Sequence, residues 1–281
     1  MNPLNPRRLT EFLNPTGVCM RKTVLVFVTT AALMAVTAGT AVASHSWNDY
    51  HWARTANPLS LTIVDTTAPD WTTYVNTAVA DWEKSKVLEL TKTTGTTRRS
   101  CDPLLGKVKV CADWWGLNNW LGLATIWIDP NHHIVQGTAE FNDAWFNTAT
   151  YNTPAWRHLV ACQEIAHDFG LDHQDETFNN PNLGTCMDYT NDPDGGPGGA
   201  SETDPSNEQP NRHDYEQLVT IYTHLDSYST VFAVATNPGL ASDERAAPVA
   251  TSRRDHIAYS VITERFADGS AKVTRIDWAL R

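Results

Sequence analysis

Apolar residues recur at helical spacing in three stretches of this chain and at strand spacing in several others. Trp71, Tyr74, Val75, Ala78, Val79 and Trp82 repeat every three to four positions, which predicts an amphipathic helix to about Ser85 with Asp70 placed to cap it. Thr153-Pro154 reads as a second helix start, Thr as the cap and Pro in the first turn. That helix carries Trp156, Leu159, Val160, Gln163 and His167 and stops at Gly170. Asn211 opens a third, with Tyr215, Leu218, Val219, Tyr222 and Leu225 on one face. Strands are predicted at 59–64, 87–91, 107–112, 123–128 and 133–141, the last at a sheet edge. Helices interleaved with strands predict an α/β (α+β) layer built on a mixed sheet.

The chain ends differently from its middle. Residues 176–210 hold little periodicity, and the Pro/Gly/Asp-rich stretch 191–199 reads as a mobile loop. Residues 236–255 read as a linker. Beyond it, Ile257 to Phe266 and Ala271 to Trp278 flank Asp268-Gly269, a hairpin with a tight-turn dipeptide. A lone hairpin is marginal, so this extension (256–281) must dock on the main domain (44–235) or on a partner.

The beginning is set aside. Arg21-Lys22, an apolar run from Thr23 to Ala38 and the small residues Ala41-Val42-Ala43 read as a secretory signal peptide, residues 1–43, cleaved after Ala43. Met20 precedes the basic pair, so 1–19 read as an over-called start; an uncleaved membrane anchor is the alternative. Removing 1–43, with its four Lys/Arg and one acid, takes the net charge from −11 to about −14. An acidic surface argues against nucleic acid or an anionic membrane as partner, and nothing in the sequence sets the oligomeric state. Cys101, Cys111, Cys162 and Cys186 then remain, an even set that predicts two disulfides in one of three connectivities.

The chemistry concentrates between Gln163 and His173. Gln163 and His167 are four apart on one helical face, and Gly170 lets the chain turn so that His173 swings back as a third ligand. Glu164 lies about 100° round the helix, where a carboxylate can take a proton from water without occupying the metal. A catalytic zinc wants three protein ligands and an open position. With His at its first position the segment would be the H-E-x-x-H-x-x-G-x-x-H pattern; that position is Gln163.

On Glu164, His167, Gly170 and His173 in register, and on Cys186-Met187-Asp188-Tyr189 downstream, the chain resembles the metzincin zinc endopeptidases. The resemblance implies a mixed sheet with an active-site helix, a Met-turn and a C-terminal helix. It implies bound Zn2+, Met187 as an apolar floor and Glu164 as general base. Tyr189 matches the tyrosine that some members, the astacin-like ones, bring to the metal. Gln163 departs from the pattern, yet the gametolysin-like proteases include Q-E-x-x-H members, which implies that an amide ligand is compatible with peptidase activity. Residues 162–176 and 182–193 are also similar to a group of secreted actinobacterial proteins. Cys162 directly precedes Gln163 and Cys186 directly precedes Met187, so a 162–186 bridge would staple the helix to the Met-turn, with 101–111 closing a short loop. Such a bridge stabilises by about 3 kcal/mol in the loop-entropy picture.

Other signals are weaker. His132-His133 reads as loop chemistry, with a substrate-subsite or auxiliary metal role as the alternative. His158 has the wrong spacing for the metal. Asp172 and Asp175 flank His173 as candidate orienting carboxylates. Of the eleven Trp residues, Trp71 and Trp82 fall at core positions, while Trp114, Trp115 and Trp120 are candidate sugar contacts. The acids Asp192, Asp194, Glu202 and Asp204 lack calcium-loop spacing. The reading is a secreted zinc metalloendopeptidase acting on protein or peptide, with an inactive protein- or glycan-binding relative as the alternative.

Overall fold

The computed structural model describes residues 44–96, 100–197, 202–231 and 247–279. The signal-peptide reading therefore lies outside the described residues, as does 236–246 of the expected linker. No helix among the described residues is long and apolar enough to cross a membrane.

Nine strands form one mixed sheet. In chain order they are β1 (His51–Trp52), β2 (Leu59–Asp65), β3 (Leu88–Thr94), β4 (Lys107–Asp113), β5 (Trp120–Ile128), β6 (His133–Asn142), β7 (Ala250–Asp255), β8 (Tyr259–Arg265) and β9 (Ala271–Trp278). The helices are α1 (Thr72–Trp82), α2 (Asp143–Phe146), α3 (Pro154–His167) and α4 (Arg212–Ile221). The spatial order is β3-β2-β4-β6-β5-β9-β8-β7, with β1 paired to β6. Pairs among β3, β2, β4 and β6 are parallel; β5 runs antiparallel to β6, and β9 antiparallel to β5. A mixed sheet with few helices is what the patterning predicted.

Local chemistry explains the helix ends. The Thr153 hydroxyl accepts from Trp156 N–H at 3.3 Å, with Pro154 in the first turn. Asn211 and Asp214 form a reciprocal capping box. Asp70 does not cap α1: the chain is already turned at Trp71, whose N–H donates to the Ala68 carbonyl, and the Asp70 carboxylate lies 3.8 Å from Arg157. The helices pack on the sheet around Trp52, Trp71, Trp82, Phe141, Phe146 and Phe169, all buried. Each buried indole N–H of these tryptophans has an acceptor: Asp168 O for Trp52, Asp143 Oδ1 for Trp71 and Cys162 O for Trp82.

Three expectations need correcting. Strand 133–141 is not an edge; β6 lies inside the sheet between β4 and β5. Residues 250–255, expected as linker, form β7, so the extension is three-stranded. Residues 191–197 are held by turns, with Gly195 N–H on Asp192 O, Gly196 N–H on Asp204 O and Asn207 N–H on Pro193 O. The hairpin itself forms as read: Phe266 N–H donates to Ser270 O, and Gly269 takes φ +85°. It docks on the main domain, adding β9 along β5 from Trp120↔Trp278 to Ile128↔Ala271. Both disulfides, Cys101–Cys111 and Cys162–Cys186, are present, in keeping with an oxidising compartment.

Candidate metal centre

Helix α3 is buried on nearly every side, and its inner face is polar. Gln163, Glu164 and His167 are all within a few per cent of zero exposure, which an ordinary packing helix avoids. The turn after it needs Gly170 twice over: φ is +90°, and a Cβ there would sit 2.1 Å from the Tyr50 carbonyl. That turn returns His173 to His167, ring centroids 5.1 Å apart.

Asp277 of β9 completes the group. Its Oδ2 lies 3.8 Å from His167 Nε2 and its Oδ1 3.8 Å from His173 Nε2. One donor atom from each residue lies within 4.8 Å of the others. His167 Nε2 and His173 Nε2 have no hydrogen-bond partner among the described residues, and the Glu164 and Asp277 carboxyls face each other across the centre. Orphaned buried donors and acceptors converging on one point are what a cation would satisfy. Two imidazoles and a carboxylate form a donor set that suits zinc.

One contact opposes that fit. Arg275, also on β9 and fully buried, lies with Nη2 2.7 Å from His173 Nδ1. A guanidinium only donates, so Nδ1 must accept and a neutral His173 then carries its proton on Nε2. His173 therefore offers no lone pair to a metal while Arg275 is in place. His167 has the competent arrangement: Nδ1–H donates to the Leu171 carbonyl at 2.8 Å, which leaves Nε2 bare. Burial, reinforced by the Arg275 charge, pushes both imidazoles well below the usual histidine range. Burial and then the neighbouring Asp277 carboxylate push Glu164 well above the usual carboxylate range.

The other expected residues fall around this centre. Gln163 donates from its amide nitrogen to the Cys186 carbonyl at 3.0 Å, which leaves its oxygen as the atom a metal would take. Met187 is fully buried in the main core. The Tyr189 ring stacks on His173 at 5.5 Å, and its hydroxyl donates to the Ala258 carbonyl of the extension at 2.9 Å. Asp172 reaches His173 through Arg275, with which it forms an ion pair. Asp175 instead accepts from Thr177 N–H and Asn180, and His158 packs on Tyr74, away from the centre. An apolar cavity lined by Leu121, Tyr151, Trp156, Leu159 and Phe178 lies beside Gln163 and Asp277.

The sequence reading missed Arg275 and Asp277, though a signal for them exists. Ala271, Val273, Arg275 and Asp277 alternate on one buried face of β9, and two charges on an otherwise apolar face call for a partner.

Gly122 has a defined task here. It faces Asp277 across the β5–β9 ladder, and a Cβ added to it would lie 2.0 Å from Glu164 Oε1. Gly122→Ala is expected to displace the Glu164 carboxylate and to cost about 1–3 kcal/mol of stability by overpacking. Chemical denaturation of the variant beside the parent checks this; unchanged stability would mean that Glu164 is not seated there.

Asp188, in the turn after Met187, supplies a pH signature. Its Oδ2 accepts from Leu183 N–H and from Asn207, while burial pushes its carboxyl up to about 6. A raised carboxyl favours the protonated folded chain. The associated stability is present below about pH 4 and is lost as pH rises through 6. Between pH 4.5 and 8, Asp188→Asn is expected to gain roughly 1–3 kcal/mol relative to the parent. Thermal melts of both chains across that range test it, and a constant difference would contradict it.

A scan against protein-family models finds no match to this chain, and a search of curated proteins finds no relative.

Proposed function

We propose that this chain is a secreted zinc-dependent endopeptidase, held closed in the state described by its own C-terminal strand. The observation that carries the proposal is the convergence of Glu164, His167 and His173, all buried, with no hydrogen-bond partner for either histidine Nε2. Packing alone gives no reason to bury three such groups side by side.

His167 and His173 would hold zinc, joined by the Gln163 oxygen, once β9 with Arg275 and Asp277 has left. When bound, zinc supplies Lewis-acid polarisation of the scissile carbonyl and of water. Glu164 takes a proton from that water and returns it to the leaving amine; its raised pKa suits both halves of the task. An extended substrate would lie along β5, drawing on the main-chain groups that β9 now pairs with. Departure of the extension would also free the Tyr189 hydroxyl from the Ala258 carbonyl, to steady a developing oxyanion.

One observation favours a second reading. Glu164 and His167 have no exposure at all, as in an extracellular binding protein built on a protease scaffold that never opens. Casein hydrolysis with zinc and with chelator tests the first reading. Cleavage that chelator abolishes supports it. A zinc-loaded chain that stays inert even after the β9 charges are removed favours the second.

A further inference from the structure

We propose a second metal site, a structural zinc held by His51, His133, His224 and Asp226. It shares no residue with the centre above and goes beyond the peptidase reading. His51 lies on β1, His133 opens β6, and His224 and Asp226 follow α4. Their donor atoms converge on Asp226 Oδ1: His133 Nε2 at 3.4 Å, His224 Nε2 at 3.3 Å and His51 Nε2 at 3.8 Å. The donor atoms of His51, His133 and Asp226 lie within 4.8 Å of one another, and His224 Nε2 lies 3.2 Å from His51 Nε2 on the open side.

The surrounding hydrogen bonds fix which ring atoms carry protons. His51 Nδ1 lies 2.8 Å from the Asp49 carbonyl, which can only accept, so Nδ1 carries the proton and Nε2 is bare. His133 Nδ1 lies 2.5 Å from the Tyr228 hydroxyl, which itself donates to Asp129. A neutral His133 therefore carries its proton on Nδ1, and its Nε2 then faces a carboxylate oxygen. Asp226 Oδ2 accepts from Arg54 N–H at 2.9 Å, leaving Oδ1 to point at the imidazoles. The His51 lone pair aimed at a carboxylate oxygen is repelled by it, and a cation between them would relieve that. The His51 and His133 rings are also oriented through their far nitrogens, by a carbonyl and by a carboxylate-backed hydroxyl, as metal-bound histidines are.

His51, His133 and Asp226 supply three ligands, and His224, half-exposed on the open side, is the fourth that would close a tetrahedral shell as in a structural zinc site. Calcium and magnesium are disfavoured by so many nitrogen donors. The ion would pin the segment after α4 to β1 and β6, where the Asp226 and Thr230 N–H groups already donate to Arg54 and Ala53.

The test separates the two sites. The full chain carrying His167→Ala and His173→Ala is stripped, reloaded with zinc and counted by elemental analysis, then loaded with cobalt for its visible spectrum. One zinc per chain and a tetrahedral cobalt spectrum are expected, both lost when His224→Ala and Asp226→Asn are added. Tyr228→Phe should weaken the site about 10–100-fold. If the starting double variant does not fold, the parent is counted instead, and its zinc count should fall by one with His224→Ala and Asp226→Asn. A folded double variant that binds no zinc, or a zinc count that survives loss of His224 and Asp226, would overturn the proposal. Neither result depends on whether the chain cleaves casein.

Discussion

With Arg275 and Asp277 both replaced by alanine, the chain is expected to bind zinc at its α3 centre, and to hydrolyse casein, at least about tenfold better than the parent. The reason is the proton on His173. Arg275 Nη2, 2.7 Å from Nδ1, forces the proton onto Nε2, the atom the metal needs. Once the guanidinium is gone, Nδ1–H can turn to Asp172, the present partner of Arg275, and Nε2 becomes a ligand. Asp277 matters for a second reason. A carboxylate 3.8 Å from both imidazoles would fill the position that a catalytic zinc keeps open. The structural cost of the double variant should be modest, because both members of a buried charge pair leave together and the Asp172 left behind is about a third exposed. Competition titration with a zinc chelator reads the affinity. A weaker site would mean that Asp277 is an obligatory ligand and not a plug.

In that opened background, Glu164→Ala should lower casein hydrolysis by about 10²–10⁴-fold and leave zinc binding intact. Glu164 follows Gln163 on α3 and is fully buried, its carboxylate packed against Gly122. In the opened background its neighbouring carboxyl, Asp277, is already absent, so truncation strands no partner and the variant should fold. Steady-state rates beside zinc content check the prediction. A proportional loss of zinc would point to a ligand role for Glu164, and an unchanged rate would remove it from the chemistry.

What the sequence could convey follows the range of each interaction. The start of α3 at Thr153-Pro154, the helix start at Asn211 and the Asp268-Gly269 turn are decided within a few residues, and each forms as read. Periodicity placed the main strands but not their neighbours. The residues of 133–141 mark a strand but do not record what pairs on either side; β4 and β5 do. The two-residue β1 carries no period at all, yet it delivers His51.

The same limit governs the sites. Gln163, Glu164, His167 and His173 fall within one helix and its turn, so their spacing displays them. Asp277 and Arg275 arrive from more than a hundred residues away, along a strand whose docking partner no local pattern names. The alternation Val273, Arg275, Asp277 marked those charges as inward-facing, and only the sheet order shows what they face. His133 was read chiefly as loop chemistry because its companions His51, His224 and Asp226 lie on three different segments.

The most direct measurement is zinc-dependent casein hydrolysis by three chains side by side: the parent, Arg275→Ala/Asp277→Ala, and the latter with Glu164→Ala. A peptidase closed by its own strand predicts low activity in the parent, chelator-sensitive activity at least about tenfold higher in the second, and near-complete loss in the third. An opened chain with zinc bound at His167 and His173 that leaves casein intact would contradict it.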